Sequence, residues 1–131
     1  MPDIATMFVR PFPGSRRRRM LAAGLTEFLN ELAQTGVKCD VWIVGSFACA
    51  ALDPADVDLL VVWNHASAAS LDEQGLAQFA MLLDRRHCRT SYHCDVYQVP
   101  NTRIAMLSYW LGWFGFTRDG GTPQGIGFIL V

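Results

Sequence analysis

The sequence predicts an α/β fold, and three observations lead to that prediction. Two apolar runs, Val41–Val44 and Leu59–Trp63, are each long enough for a short buried strand. A third segment, between Ser15 and Gly36, carries apolar residues at helical spacing, namely Leu21, Leu25, Phe28, Leu29 and Leu32. The 131 residues, 51% of them hydrophobic, are enough to build one globular domain with a substantial core.

The first helix is expected to follow an extended arm. Residues 1–14 contain three prolines and a glycine, which disfavour regular structure. Ser15 can cap the helix, and Gly36 can end it. Arg16–Arg19 fall in the first turn, where positive charge opposes the helix dipole. Two interpretations of these arginines stay open: a solvated helix start, or contact of one or two of them with a triphosphate or a nucleic-acid backbone.

The stretch from Val41 to Trp63 contains the residues most typical of catalysis. Gly45-Ser46 follows the first apolar run, and such a turn at a helix start can offer N–H groups to an anion. Asp56 and Asp58 precede the second run, and the period of a strand places both on one face. Neighbouring carboxylates repel each other unless a cation compensates, and Mg²⁺ prefers oxygen ligands. The combination suggests phosphoryl transfer.

These residues also resemble a known signature. Gly45-Ser46, nine further residues, Asp56-Val57-Asp58 and an apolar strand are similar to the pattern of the DNA polymerase β-like nucleotidyltransferase superfamily. That family carries a third carboxylate on a later strand, and Asp95 in the segment Tyr92–Tyr97 matches it. The resemblance covers roughly residues 37–99 and is closest to small stand-alone bacterial members, including the minimal nucleotidyltransferases of toxin–antitoxin pairs. Many of those carry a basic residue after Gly-Ser, where this chain has Phe47.

The resemblance implies a fold, a reaction and a site. The fold would be a mixed β-sheet with helices packed mainly on one face, which leaves the opposite face for substrate. The reaction would move a nucleoside monophosphate from an NTP, with ATP the expected one, to a protein or RNA acceptor. Asp56, Asp58 and Asp95 would be the catalytic residues and would bind two Mg²⁺ or Mn²⁺ ions, with Asp95 also helping to deprotonate the acceptor. Gly45 and Ser46 would hold the departing phosphates.

Two alternatives from other functional classes remain open. The chain could be an antitoxin-like binding module whose main task is to mask a cognate toxin. It could also be a catalytically inactive nucleotide-binding protein of the same fold. The sequence names neither the acceptor nor the preferred base.

A second helix is expected from near Leu71 to Arg86, after a loop at Asn64–Ser67. Its buried side would comprise Leu71, Leu76, Phe79, Leu82 and Leu83. Arg85, Arg86 and Arg89 would lie near the helix end, where positive charge suits the dipole.

Two His-Cys pairs, His87-Cys88 and His93-Cys94, invite comparison with zinc sites, although their spacing matches no common zinc module. On a strand, His93 and Cys94 would point to opposite faces and could not share one ion. Core packing of Cys94 is therefore the favoured interpretation. His93 would either border the site beside Asp95 or pack next to it.

The last third of the chain is rich in apolar and aromatic residues. Residues 104–116 fit no single helical period, and core packing is the favoured explanation over a nucleobase platform or a dimer surface. Residues 125–131 could add an edge strand.

Composition narrows the functional class further. A net charge of −1 argues against a general nucleic-acid or membrane-surface protein. Four cysteines do not suggest a disulfide framework, and the N-terminus does not resemble a secretory signal. No apolar run approaches the ~20 residues of a membrane span. We therefore expect a single cytoplasmic domain without a membrane partner, and a homo-oligomer remains open.

Overall fold

The computed structural model describes residues 15–44, 55–103 and 127–130. Four helices and four strands lie in these ranges. In chain order they are α1 (Arg16–Gln34), β1 (Cys39–Val44), β2 (Val57–Trp63), α2 (His65–Ala69), α3 (Glu73–Leu82), α4 (Arg85–Tyr92), β3 (Cys94–Pro100) and β4 (Gly127–Leu130). The predicted α/β class is confirmed.

Helix α1 begins and ends where its sequence predicts. The side chain of Ser15 accepts a hydrogen bond from the backbone N–H of Arg18 at 3.0 Å, which caps the first turn. After the C-cap at Thr35, Gly36 adopts φ 81°, a left-handed conformation that glycine reaches without strain. All five residues of the predicted stripe are fully buried, so this face of α1 forms one side of the core.

The four strands form one mixed sheet in the order β3-β2-β1-β4. Strand β1 pairs antiparallel with both β2 and β4, whereas β2 and β3 are parallel. The expected edge strand within residues 125–131 is therefore confirmed as β4. Because β2 and β3 run in the same direction, their N-terminal ends meet at one edge of the sheet, together with the C-terminal end of β1.

The described helices pack against one face of this sheet. Their buried side chains join one hydrophobic cluster with alternate residues of the strands, such as Val41 on β1, Leu59 on β2 and Val96 on β3. We had expected the opposite face to be open for a substrate, but it is not open along its whole length. Leu60 and Val99 on that face are 0% and 1% exposed, so this part of the face is closed to a substrate.

The helix expected from Leu71 to Arg86 is in fact two helices, α3 and α4. The side chain of Asp84 accepts a hydrogen bond from the N–H of His87 at 2.9 Å and therefore caps a new helix. Arg85 and Arg86 thus stand at a helix beginning, and the prediction that they suit a helix end was wrong. Leu76 is 46% exposed, which also contradicts its expected burial.

The expected loop at Asn64–Ser67 contains the start of the short helix α2 instead. The side chain of Asn64 accepts a hydrogen bond from the N–H of Ser67 at 2.9 Å, and this cap starts the helix. Within the described ranges, none of the helices is long and apolar enough to cross a membrane.

Candidate metal centre

Asp56 and Asp58 lie close together in the chain, and the fold brings Asp95, which is far from them in sequence, to the same edge of the sheet. One carboxylate oxygen of each lies within 4.8 Å of those of the other two. In the parallel pairing of β2 with β3, Asp58 is the direct partner of Asp95, which brings the two carboxylates side by side. Asp56 precedes β2 by one residue. Among the described residues, this is the only group of three or more His, Cys, Asp or Glu side chains with metal-binding geometry.

We call Asp56, Asp58 and Asp95 the carboxylate triad. The backbone around this triad is held in place by pairing between the N-terminal ends of β2 and β3. The N–H of Val57 donates to the carbonyl oxygen of His93 at 3.0 Å, so the first residue of β2 is tied to the residue before β3. The side chains of Val57 and Cys94 point into the helix-covered core and are fully buried. Alternation along the strands then directs Asp58 and Asp95 to the opposite face.

Two arginines of α4 hold the carboxylate of Asp95. Arg85 Nε donates to Oδ1 at 2.8 Å and Arg85 Nη2 donates to Oδ2 at 3.1 Å. Arg89 Nη2 donates to Oδ2 at 3.0 Å, and the hydroxyl of Tyr97 donates to the same oxygen at 3.2 Å. Asp95 itself is 4% exposed. A buried carboxylate is thus paired by two guanidinium groups that reach it from α4.

The arginines also determine the ionisation of Asp95. Burial alone would raise the pKa of this carboxyl, but the hydrogen bonds and charges of Arg85 and Arg89 outweigh it and hold the pKa below its usual range. Burial, followed by the charge of Asp95, raises the pKa of Tyr97, which therefore keeps its proton and donates it. Asp95 is consequently ionised at neutral pH, as a metal ligand must be, and is a poor proton acceptor.

The donor set fits a hard divalent cation. Three carboxylates offer the oxygen ligands that Mg²⁺ and Mn²⁺ prefer, and opposite ligands of octahedral Mg²⁺ stand about 4.2 Å apart. At most one pair among three ligands can be opposite, and neighbouring ligands stand about 2.9 Å apart. The three oxygens, which lie within 4.8 Å of one another, would therefore have to move closer together to share one ion. Asp56 and Asp58 are partly exposed, whereas both oxygens of Asp95 accept hydrogen bonds from arginines.

The four arginines at the start of α1 have different environments. Arg18 is fully buried, whereas Arg16 and Arg19 are exposed. Arg17 Nη2 donates to the carbonyl oxygen of Ala55, the residue before Asp56. One arginine of the run therefore reaches the backbone beside the triad, and the run as a whole is not a uniformly solvated helix start.

Several predicted features lie outside the described residues. Gly45 and Ser46, expected to hold phosphates, follow directly after β1, whose last residue Val44 pairs with Asp58. The aromatic segment 104–116 and the N-terminal arm 1–14 also fall outside, so their predicted roles stay predictions.

Among the described residues, neither His-Cys pair belongs to a group of three or more His, Cys, Asp or Glu side chains that could hold a metal ion. We had expected His93 to lie on a strand. It lies instead between α4 and β3, in a left-handed conformation with φ 56°. Cys94 is fully buried and its thiol contacts the carbonyl oxygen of Tyr92 at 3.4 Å, which confirms its assignment to the core.

Sequence reasoning missed Arg85, Arg89 and Tyr97 as partners of Asp95. A signal was present, since Arg85 and Arg89 are four residues apart and so share one face of a helix. This spacing could not be interpreted without knowing that a new helix starts after the cap residue Asp84. If one helix continued from Leu71, the two arginines would have a different position relative to β3.

Comparisons with known proteins identify a family but no activity. No curated protein and no solved structure gives a match. A family model described as a family of unknown function, DUF6932, matches residues 1–129. The match spans nearly the whole chain, and the protein therefore belongs to the DUF6932 family.

Proposed function

We propose that this protein is a metal-dependent nucleotidyltransferase that moves a nucleoside monophosphate from an NTP to an acceptor, with release of pyrophosphate. The observation that carries the proposal is the convergence of Asp56, Asp58 and Asp95, whose oxygens lie within 4.8 Å of one another. The resemblance to polymerase β-like nucleotidyltransferases names the same three residues as its carboxylates and so supports the proposal. The nucleotidyltransferase-like version of the α/β fold is part of the same proposal.

Each residue has a role that follows from its surroundings. Asp56 and Asp58 are partly exposed at the strand entrance and would hold Mg²⁺ or Mn²⁺, with Asp95 completing the set. The bound metal would neutralise the triphosphate and stabilise the charge that develops during transfer. Gly45 and Ser46 would contact the phosphates that leave. Because its pKa is lowered, Asp95 serves better as a ligand than as the base that accepts the acceptor proton.

A catalytically inactive nucleotide-binding protein is the second candidate, and one observation favours it. Both oxygens of Asp95 accept hydrogen bonds from arginines, so a metal that uses Asp95 competes with their guanidinium groups. Such a site could retain an NTP with one cation and lack the second ion that transfer needs.

Incorporation of labelled nucleotide separates the two candidates. The protein is incubated with each α-labelled NTP and a cell lysate, with Mg²⁺ or with EDTA. An active transferase yields a labelled acceptor only with the metal, and Asp58→Asn abolishes the product. Asp40→Asn is the matched control, because Asp40 lies on the same sheet face as Asp58 and pairs with Val62, towards the far end of the strands.

Nucleotide binding gives an independent measurement. Carboxylates repel a triphosphate until a cation lies between them, so Mg²⁺ should raise NTP affinity markedly. Equal affinity in EDTA and in Mg²⁺ would contradict both candidates. Metal-dependent binding without any labelled product would favour the inactive one.

A further inference from the structure

The carboxylate of Asp95 has two protein cations as partners in the folded chain. Arg85 reaches it from the first residue of α4, and Arg89 reaches it from one helical turn further along. The two arginine side chains are 50% and 54% exposed, whereas the side chain of Asp95 is 6% exposed. Two long side chains at the surface thus direct their charged ends inwards, to one buried carboxylate.

These contacts use most of the hydrogen-bonding capacity of Asp95. An ionised carboxylate offers about four acceptor sites. Arg85 Nε takes one of them on Oδ1, while Arg85 Nη2, Arg89 Nη2 and the hydroxyl of Tyr97 converge on Oδ2. Oδ2 therefore has no site left for a metal. A metal on Oδ1 would lie beside a guanidinium group whose positive charge repels it.

Arg85 has more contacts in this arrangement than Arg89. Its Nη2 also donates to the hydroxyl of Tyr97 at 3.1 Å, and its guanidinium carbon lies 4.4 Å from the centroid of the Tyr97 ring. Tyr97 follows Asp95 by two residues on β3, so the carboxylate and the ring share one face of the strand. Binding two carboxylate oxygens at once requires the planar guanidinium of arginine, and the ammonium of lysine cannot reproduce it.

The charge of Arg85 acts on the carboxylate triad beyond Asp95. The pKa of Arg85 is raised, chiefly by its hydrogen bond to Asp95, and the charge of Asp58 contributes in the same direction. Without a metal, the three carboxylates repel one another, because their oxygens lie within 4.8 Å. Arg85 is therefore positioned to supply part of the positive charge that a metal-free triad needs.

We infer that the bidentate bond of Arg85 to Asp95 is an autoinhibitory contact: the guanidinium group occupies Asp95 in the metal-free protein and leaves it when a divalent cation binds the triad. The inference rests on the proposed function, of which it describes the regulation. Because Arg85 is the first residue of α4, its departure also removes a bond between this helix and β3. Metal occupancy of the triad therefore changes the start of α4.

Nuclear magnetic resonance of the parent protein tests this displacement directly. In the metal-free protein, the Nε–H of Arg85 donates to Oδ1 at 2.8 Å and should give a signal that exchanges slowly with solvent. Arg85→Lys assigns the signal, because the variant lacks it. Saturation with Mg²⁺, which is diamagnetic, should shift the signal towards that of an exposed arginine such as Arg86 and speed its exchange. An Arg85 signal that Mg²⁺ leaves unchanged would overturn the inference.

Metal affinity gives a second measurement that is independent of activity. Binding of Mn²⁺ is followed by the electron paramagnetic resonance signal of the free ion. Arg85→Gln removes the contact and should tighten Mn²⁺ binding about tenfold, the value of one charge-assisted hydrogen bond. Arg85→Lys keeps the charge and loses the bidentate geometry, so it should tighten binding about threefold. It also preserves the test if Arg85→Gln fails to fold.

Arg86→Gln is the matched control for the loss of charge. Arg86 is the next residue of α4 and is exposed, and it is not an ion-pair partner of Asp95 within the described ranges. Its substitution should change Mn²⁺ affinity by about twofold or less. Equal effects of Arg85→Gln and Arg86→Gln would overturn the inference, because net charge alone would explain both. Weaker Mn²⁺ binding in the Arg85 variants would also overturn it, since Arg85 would then orient Asp95 for the metal.

These measurements distinguish failure of the inference from failure of the proposed function. If the parent binds Mn²⁺ and forms a labelled product while the Arg85 variants bind Mn²⁺ as the parent does, the inference fails and the transferase stands. Tighter Mn²⁺ binding in Arg85→Lys without a labelled product from any protein supports the autoinhibitory contact and favours the inactive nucleotide-binding protein. If neither the parent nor the Arg85 variants bind Mn²⁺, both proposals fail.

Discussion

Arg85 binds both carboxylate oxygens of Asp95, with Nε 2.8 Å from Oδ1 and Nη2 3.1 Å from Oδ2. The pair joins the first residue of α4 to the second residue of β3 and so closes the connection between these two elements. It also means that one member of the carboxylate triad has a protein cation as its partner. Any metal that uses Asp95 must compete with a bidentate guanidinium, which is among the stronger ion-pair geometries.

The pairing of Asp95 predicts a pH-dependent contribution to stability. The pKa of Asp95 is lowered in the folded protein, so its charged form stabilises the fold above the unfolded pKa of about 3.9. That contribution is lost as the pH falls through the lower folded pKa. We expect Asp95→Asn to lower the free energy of unfolding by about 1–2 kcal/mol at pH 7, and the difference from the parent to shrink below about pH 4.

Urea unfolding of parent and variant between pH 7 and pH 3 measures this difference. Asp40→Asn is the control, because Asp40 forms no ion pair within the described ranges. A constant difference across the whole pH range would show that Asp95 stabilises the fold by its shape and hydrogen bonds alone.

Gly24 predicts how tightly α1 and α4 are packed. A Cβ added at Gly24 would overlap the carbonyl oxygen of Tyr92, a backbone atom that cannot move without shifting the end of α4. Although alanine favours helices by about 1 kcal/mol over glycine, we expect Gly24→Ala to destabilise the protein by about 1–3 kcal/mol.

Thermal or urea unfolding checks this expectation. Gly75→Ala is the matched change in α3, where the nearest atom to an added Cβ is the side-chain oxygen of Asp72 at 3.1 Å. That oxygen also caps α3 by accepting from the N–H of Gly75 at 2.7 Å. A shift of a few tenths of an ångström keeps this bond, so the change should stay within about 1 kcal/mol. A Gly24→Ala protein as stable as the parent would mean that the two helices can separate at no cost.

The three described cysteines should be unreactive in the folded protein. Burial raises the pKa of Cys39 and of Cys88 to about 12, with smaller contributions from nearby aspartates, and burial also raises the pKa of Cys94. Since the thiolate is the reactive form, roughly 1 in 10⁴ of the Cys39 and Cys88 side chains would be reactive at pH 8. Iodoacetamide labelling followed by peptide mass spectrometry should leave all three unmodified.

In guanidinium chloride, all four cysteines of the chain should be labelled. Rapid modification of Cys94 in the native protein would contradict its assignment to the core and reopen a ligand role for it.

The sequence was sufficient where local signals and burial agree. The apolar stripe of α1, its cap Ser15 and its stop at Gly36 all act within a few residues, and each lies where it was predicted. Asp56 and Asp58 are likewise close in the chain, with one residue between them. Their meeting with Asp95 depends on the parallel register of β2 and β3, and only the resemblance to a family suggested it.

The wrong predictions concern segments in which two sequence signals favour different helix boundaries. The apolar residues from Leu71 to Leu83 and the cap residue Asp84 predict different helix boundaries, and the cap prevails because it satisfies a backbone N–H that would otherwise lack a partner. Arg85 and Arg86 at the start of α4 oppose the helix dipole, a cost of a few tenths of a kcal/mol that the bonds of Arg85 to Asp95 offset. That compensation comes from a residue ten positions later and leaves no local pattern.

Asp58 provides the sharpest test of the site, because a metal ligand and a structural residue predict opposite changes in stability. In the metal-free protein, Asp58 lies within 4.8 Å of two other carboxylates, and Asp58→Asn relieves that repulsion. The variant should therefore melt at the same temperature as the parent or higher in EDTA. A structural Asp58 that accepts necessary hydrogen bonds would instead lose about 1–3 kcal/mol on substitution.

Thermal melts of parent and Asp58→Asn, each with EDTA and with Mg²⁺-ATP, distinguish the two roles. Mg²⁺-ATP should stabilise the parent by binding its folded state, and the variant should lose that stabilisation. Asp40→Asn should retain it, because Asp40 pairs with Val62, far from Asp95 along the strands. If Asp58→Asn melts lower in EDTA and still gains stability from Mg²⁺-ATP, Asp58 is not a ligand, and the convergence of the three carboxylates must be attributed to the pairing of β2 with β3 alone.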